Sequence, residues 1–451
     1  MNKKFYFFIF EVFFIFLIGI SSLFFYVMPA NVKTLVDVQL LFYFAILWFN
    51  YRRNKSFNLY QIWLVAYVFM VWAEMEIIAA NSFSDRYIVP FARFSLANFS
   101  CLLGYHLFQK NNFNNSNIHN ISKGNNLFVF LLFVLYVYFV ASKFVYTRTV
   151  FYSGRSYGSG SSLGNGSLLG SLTSSLGLLL PASIGYYFTQ KKQKSVWISL
   201  LWSLPIFIIL LLTTSRYKFL FSILPFLIVT DVFTLKATSF KKNILLFLFS
   251  IAVIVITGYI KKNRNVAFSE MEASEFFGYQ SNQGNDMFEK MAYQMSPEGV
   301  VHMASVADRY FSTHSLHYGK ETGFILIFWI PRRWWPNKPT MLDNWLIREY
   351  ENVADGFSSA SGFIGELRAD FGWFCLVFML LFGLLLRKLD NYTKFVIQNH
   401  PDSFNIVLIS ILYPWAFFFV RSPLTATMSL LWELLVWKIL VMSFSKKVQN
   451  T

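Results

Sequence analysis

From Phe5 to Met28 the chain is apolar for about twice the length of a secretory signal core. Stretches of the same character recur down most of its 451 residues. In lipid every backbone N–H and C=O must be satisfied inside the element, so such a stretch crosses as a helix. The runs fall at about 5–28, 34–50, 59–80, 87–109, 127–146, 168–189, 196–213, 216–232, 243–260, 363–386, 404–420 and 424–445. Only 14% of residues are charged, against roughly 25% in soluble domains. The fold predicted is an all-α polytopic integral membrane protein with about twelve transmembrane helices. It divides into spans one to nine (1–260), one large loop with short helices (261–362), and spans ten to twelve with a tail (363–451).

The net charge of +16 would point to nucleic acid in a soluble protein. Here the basic residues set topology instead, because cytoplasmic loops collect Lys and Arg. With the N-terminus inside, Lys3, Lys4, Arg52, Arg53, Lys191, Lys192, Lys194, Lys241, Lys242, Arg387 and Lys388 all fall on the inner side. The alternation places both termini in the cytoplasm and the large loop outside it. Of eighteen inner basic residues, fifteen are Lys, whereas Arg dominates outside: Arg86, Arg148, Arg155, Arg216, Arg264, Arg309, Arg332, Arg333, Arg348, Arg368 and Arg421, with Arg93 slightly inside span four. Topology needs only charge. A guanidinium adds a planar fork of donors that suits phosphate near lipid. Several of these arginines stand at span ends or in short links, where both flanking helices restrain them: Arg148, Arg216, Arg264 and Arg421. The ligand that fits a positive rim at headgroup depth is a lipid-linked phosphate or pyrophosphate.

Several chemistries are excluded. Cys101 and Cys375 offer neither a disulfide framework nor a CxxC site, and the His and Cys spacing fits no zinc motif. No Asp-x-Asp pair, Walker loop or Rossmann glycine pattern occurs. No metal and no cofactor are expected. The Asn-rich tract 111–126 and the Gly/Ser stretch from Ser153 to Ser175 read as compositional and as a loop.

Within the loop, Thr322 to Trp335 reads as an apolar helix too short to span, re-entrant or lying on the surface. Pro331, Pro336 and Pro339 stiffen the segment carrying Arg332, Arg333 and Lys338. His302, His314 and His317, half of the six histidines, are in this loop and could take a proton from a sugar hydroxyl. Glu366, near the outer end of span ten beside Arg368, is either a base or a partner that positions the arginine. Glu74 and Glu76, in the outer part of span three, are intramembrane carboxylates. Being two apart, they face different sides, so at most one is expected to line a cavity.

With these residues in view, the chain resembles the Wzy-type oligosaccharide repeat unit (O-antigen) polymerases. The likeness is carried by Thr214-Ser215-Arg216 leading into a span and by the loop element Pro331-Arg332-Arg333-Trp334-Trp335-Pro336-Asn337-Lys338-Pro339. The Gly362-to-Gly372 lead into the next span and Arg421 between the last two spans complete it. The related O-antigen ligases carry a His-Asn element in the large loop, which neither His314-Ser315 nor His317-Tyr318 matches. The resemblance implies a GT-C-like, metal-independent glycosyltransferase of a bacterial inner membrane. It would join polyprenyl-pyrophosphate-linked oligosaccharides, with polyprenyl pyrophosphate as the leaving group. Arg216, Arg264, Arg332, Arg333, Lys338, Arg421 and Arg148 would bind pyrophosphate or glycan. His314, His317 or Glu366 would be the acceptor's base, unless no strong base is needed. Implied partners are the bilayer, the lipid-linked substrates, a chain-length regulator and a flippase. The alternatives are an O-antigen ligase or, in a different class, a flippase or transporter.

Overall fold

The computed structural model describes residues 3–54, 58–81, 85–107, 119–120, 126–153, 168–189, 196–213, 216–230, 286–295, 299–327, 330, 334–339, 342, 345–346, 361–400, 403–422, 424, 427, 434–435, 437–439 and 446–447. Apart from a two-residue antiparallel pairing of His119–Asn120 with Lys446–Lys447, the regular structure described is helical. Among the described residues five stretches are long and apolar enough to cross a membrane: Lys4–Val27, Pro29–Asn54, Leu59–Asn81, Asp85–Leu107 and Gly362–Asn399. The chain therefore folds as a helical membrane protein. The run at 243–260 and most of 424–445 lie outside the described residues.

Two compact units interleave along the chain. One comprises Met1–Asn111, Gln280–Asp390 and Ala416–Met428; the other comprises Asn112–Tyr279, Asn391–Trp415 and Ser429–Thr451.

In the first unit α1 (Lys3–Val27) and α2 (Val32–Asn54) are joined by a short turn. The third crossing starts as α3 (Leu59–Tyr67), passes through a π turn at Val68–Trp72 and continues as α4 (Ala73–Asn81). α5 (Ile88–Leu107) follows. α1 leaves Phe13, Phe16, Ile20, Leu23 and Val27 exposed at helical spacing, a face whose natural solvent is lipid. Between helices the polar groups are matched: Trp63 Nε1 donates to Asn98 (2.9 Å), Ser95 to Gln39 (3.0 Å) and Gln39 to Ser21 (3.0 Å). Such pairs hold helices together where burial of apolar surface gives no drive.

Polar clusters mark the two ends of this bundle. At one end Glu11, fully buried, accepts from Asn50 (2.7 Å) and lies 3.1 Å from both Arg53 and His106. Beside it Asn58 forms a capping box with Gln61 at the start of α3. At the other end the segments after residue 286 are bonded to the opposite termini of the same helices. They are α6 (Met287–Met295) and α7 (Val300–Thr313). α8 (Gly362–Phe371) then turns through Gly372, at φ +61°, into α9 (Cys375–Asn399). α5 and α9 meet backbone to backbone: a Cβ on Gly104 would stand 2.1 Å from the Leu380 carbonyl oxygen, and one on Gly383 2.0 Å from that of Cys101. Only glycine at both positions permits that approach.

The second unit contains α10 (Asn126–Ser153), α11 (Leu168–Thr189), α12 (Val196–Thr213) and α13 (Arg216–Val229). Gly177 packs against Phe139 and Leu210, and Ser222 donates to its carbonyl (2.7 Å). The run at 404–420 is two helices, α14 (Asn405–Ser410) and α15 (Leu412–Arg421). Pro414 has no N–H to give the Ser410 carbonyl, and the break falls there. The helix expected from Thr322 to Trp335 is also corrected. A helical turn, Lys320–Gly323, passes into a 3-10 turn that ends at Leu326. Trp334 and Trp335 lie in non-helical backbone, both exposed.

Candidate functional site

α7 organises the site. It begins after Gly299 in the left-handed region (φ +80°) and buries Val300, Val301, Met303, Ala304, Ala307 and Phe311 along one face. Glu74 of α4 reaches its N-terminus and accepts from the amides of Val301 (3.0 Å) and His302 (2.9 Å). A carboxylate there meets both orphan N–H groups and the positive end of the helix dipole. His302 Nδ1 in turn lies 3.0 Å from the Tyr87 hydroxyl. Glu76 faces elsewhere, towards Lys33 (4.0 Å). The two carboxylates thus face different sides, as their spacing two apart implied.

Two turns along α7, Asp308 accepts a bond from Nη1 of Arg93, which is 2% exposed. Nε of Arg368 stands 3.2 Å from the same oxygen, at ion-pair distance without hydrogen-bond alignment. The Arg93 guanidinium also lies 5.0 Å from the centre of the Trp373 ring. Two guanidiniums on one carboxylate leave a surplus of one positive charge in a largely buried place. Among the described residues Arg93 Nε and the second oxygen of Asp308 have no hydrogen-bond partner. A group that is buried, cationic and short of acceptors is suited to an anion.

The chain beyond α7 returns to α8, the helix that carries Arg368. The amides of His317 and Tyr318 donate to the carbonyls of Ala369 (3.0 Å) and Asp370 (3.1 Å). Tyr318 sits at φ +49°, sparsely populated for a residue with a ring. The Asp370 carboxylate caps the following turn, accepting from the amides of Glu321 (3.0 Å) and Thr322 (2.7 Å). Glu321, 4% exposed, pairs with His317 Nδ1 at 2.8 Å and accepts the Leu342 amide at 3.1 Å. Burial holds its carboxyl above the ordinary glutamate range, against the opposing pull of His317. Phe311 and Trp345 flank the imidazole at 5.0 and 5.5 Å. Nδ1 bonded to a carboxylate fixes ring and tautomer and leaves Nε2 as the basic nitrogen, the arrangement a general base needs.

The other candidates are placed differently. His314 is exposed and stacks on Tyr310, ring centres 4.1 Å apart, with Nδ1 against the Tyr310 carbonyl (3.0 Å). Glu366, 1% exposed, accepts the Leu424 amide and so holds the turn that follows Arg421. Gly362, at φ +68°, lies so close to Val420 that a Cβ would stand 2.5 Å from its carbonyl oxygen. Glu366 thus positions the Arg421 turn. Arg421 itself reaches Ser422 (3.4 Å) and the Phe418 ring (5.9 Å). Lys338 is largely buried; its ammonium donates to the Ile330 carbonyl (2.9 Å) and lies 5.1 Å from the Phe324 ring centre. Arg148 is exposed on α10, in the other unit. Arg216 opens α13, and its side chain is outside the description, as are Arg264, Arg332 and Arg333 entirely.

Asp308, Glu321 and Asp370 were not singled out from sequence. Glu321 had a signal, its i+4 spacing from His317. Asp308 had none, because Arg93 is 215 positions away. No known protein family, curated protein or solved structure matches this chain.

Proposed function

We propose that this chain is an oligosaccharide repeat unit polymerase of a bacterial inner membrane, with about twelve spans, cytoplasmic termini and its site at the outer face. The donor is a growing glycan on polyprenyl pyrophosphate and the acceptor a single lipid-linked unit. The acceptor hydroxyl attacks the donor's anomeric carbon, the bond to the pyrophosphate oxygen breaks, and polyprenyl pyrophosphate departs. Because the leaving group is already good, fixed positive charge where its negative charge grows supplies most of the assistance.

The observation that carries this reading is one helix, α8, holding both parts of such a site. Arg368 with buried Arg93 supplies the surplus positive charge over Asp308, and the backbone of the His317–Glu321 pair is bonded to the same helix end. In the mechanism Arg93, Arg368 and Arg421 attract the pyrophosphate, with Arg332 and Arg333 of the same unit contributing. His317 takes the acceptor proton through Nε2, and Glu321 steadies the imidazolium. Lys338 is tied to the Ile330 carbonyl. Trp334, 75% exposed, anchors in lipid.

The test is a surface-glycan gel of a deletion strain complemented with wild type, His317→Ala, Arg332→Lys or Arg368→Lys at matched protein level. Cores capped by a single repeat in the deletion and in each variant support polymerisation. Bare cores in the deletion would point to the ligase or flippase readings, and an unchanged ladder would remove the glycan reading altogether.

A further inference from the structure

The first unit carries a second polar cluster that the proposed chemistry does not use. Asp286 caps α6, accepting the Glu289 amide through Oδ1 (2.9 Å), and its other oxygen lies 2.5 Å from Lys33 Nζ. The Glu289 carboxylate meets the same ammonium. Glu76 reaches in from α4, and the oxygens that Glu76, Asp286 and Glu289 present lie within 4.8 Å of one another. Asp37, one turn along α2 from Lys33, places its carboxyl against Glu76. With all groups ionised, four carboxylates and one ammonium leave three negative charges.

Glu76 makes this more than an acidic patch. It is fully buried, and among the described residues neither of its oxygens, nor Oδ1 of Asp37, has a hydrogen-bond partner. Buried carboxylates ordinarily find donors, and two that face each other repel unless a cation stands between them. Among the described residues the cation at this cluster is Lys33, 4.0 Å from Glu76 and a third exposed along its side chain. Its ammonium is on a flexible stem that can withdraw to solvent.

We propose that Glu76, Asp286 and Glu289, with Asp37, bind a divalent cation of the oxygen-seeking class, Ca²⁺ or Mg²⁺, and that Lys33 competes for the same carboxylates. An all-oxygen donor set without His or Cys selects these ions. The cation would clamp α6 onto α4, beside the direct bond from Asn81 to the Tyr293 hydroxyl (2.6 Å). This site is independent of the polymerase reading.

The experiment is calorimetric titration of the full chain in nanodiscs, chelator-treated, with CaCl₂ and separately MgCl₂. Saturable binding is expected, with Kd of roughly 0.1–1 mM as in extracytoplasmic calcium sites. Lys33→Met, which removes the competitor, should bind about tenfold more tightly, and Glu76→Gln about tenfold more weakly. No saturable binding by wild type up to about 10 mM, well above that range, overturns the proposal, as does an affinity that Lys33→Met leaves unchanged. A thermal midpoint that responds to pH but to neither cation would mean a shared proton only, and equally overturns it.

Discussion

Asp308→Asn removes the charge that Arg93 and Arg368 share while keeping the side chain's shape. Both guanidinium nitrogens contact one Asp308 oxygen, so they stand no more than about 6 Å apart. At an effective dielectric of ~20, two unit charges at ~6 Å repel by about 3 kcal/mol, in the range of about 3–5 kcal/mol found when a buried pair loses one partner. Arg93, at 2% exposure, cannot relieve this by turning to solvent. The expected result is a loss of about 3 kcal/mol, read as a lowered thermal or denaturant midpoint of the solubilised protein. A second variant separates repulsion from lost packing: adding Arg368→Met to Asp308→Asn should recover most of the loss, giving a coupling energy above about 1 kcal/mol. If Asp308→Asn costs less than about 0.5 kcal/mol, the range of ordinary surface changes, or if the two changes simply add, the triad is not the electrostatic knot described.

His317→Ala should reduce chain elongation by about 10²–10⁴-fold, the range for a general base, at normal protein level; a wild-type ladder from this variant removes His317 from the chemistry. Glu321 provides a pH test. Because burial raises its folded-state pKa above the unfolded value, the native state holds the proton more tightly. Its contribution to stability is therefore fully present below the ordinary glutamate pKa of about 4.3 and is lost as pH rises through the folded value. Glu321→Gln should flatten that part of a midpoint-against-pH curve, and an unaltered curve would assign the slope to another group. Gly383→Ala should separate α5 from α9 and cost about 1–3 kcal/mol or more, because its Cβ would lie 2.0 Å from the Cys101 carbonyl. Gly323→Ala, with nothing within 4 Å of its Cβ, should be neutral or stabilising by about 0.4–1 kcal/mol; equal midpoints for the two variants would refute the contact.

The helices could be read from sequence because lipid allows few alternatives: the runs at 168–189 and 196–213 match Leu168–Thr189 and Val196–Thr213 residue for residue. Where that constraint lapses, the reading lapses too. Thr322 to Trp335 is apolar but lies outside the spans, and the Gly323–Phe324 backbone tightens into a 3-10 turn there. The site divides the same way. Position near a span end pointed to Glu366 beside Arg368, and residue type pointed to His317 as one of three histidines in the large loop. Glu321 could have been found from its i+4 spacing to His317, whereas Asp308 depends on contacts between positions far apart in sequence, which no local pattern records.

The loop helices do not complete their own ends. α7 takes its N-terminal acceptor from Glu74 in the third crossing, and the turn at Lys320–Gly323 takes its from Asp370 in the crossing that follows the loop. These two carboxylates are synthesised on either side of the segment they finish. The turn at Lys320–Gly323 can therefore gain its acceptor only after Asp370 has been made. A chain halted before Asp370 would leave this turn uncapped, so its closure depends on a residue made 49 positions after Glu321.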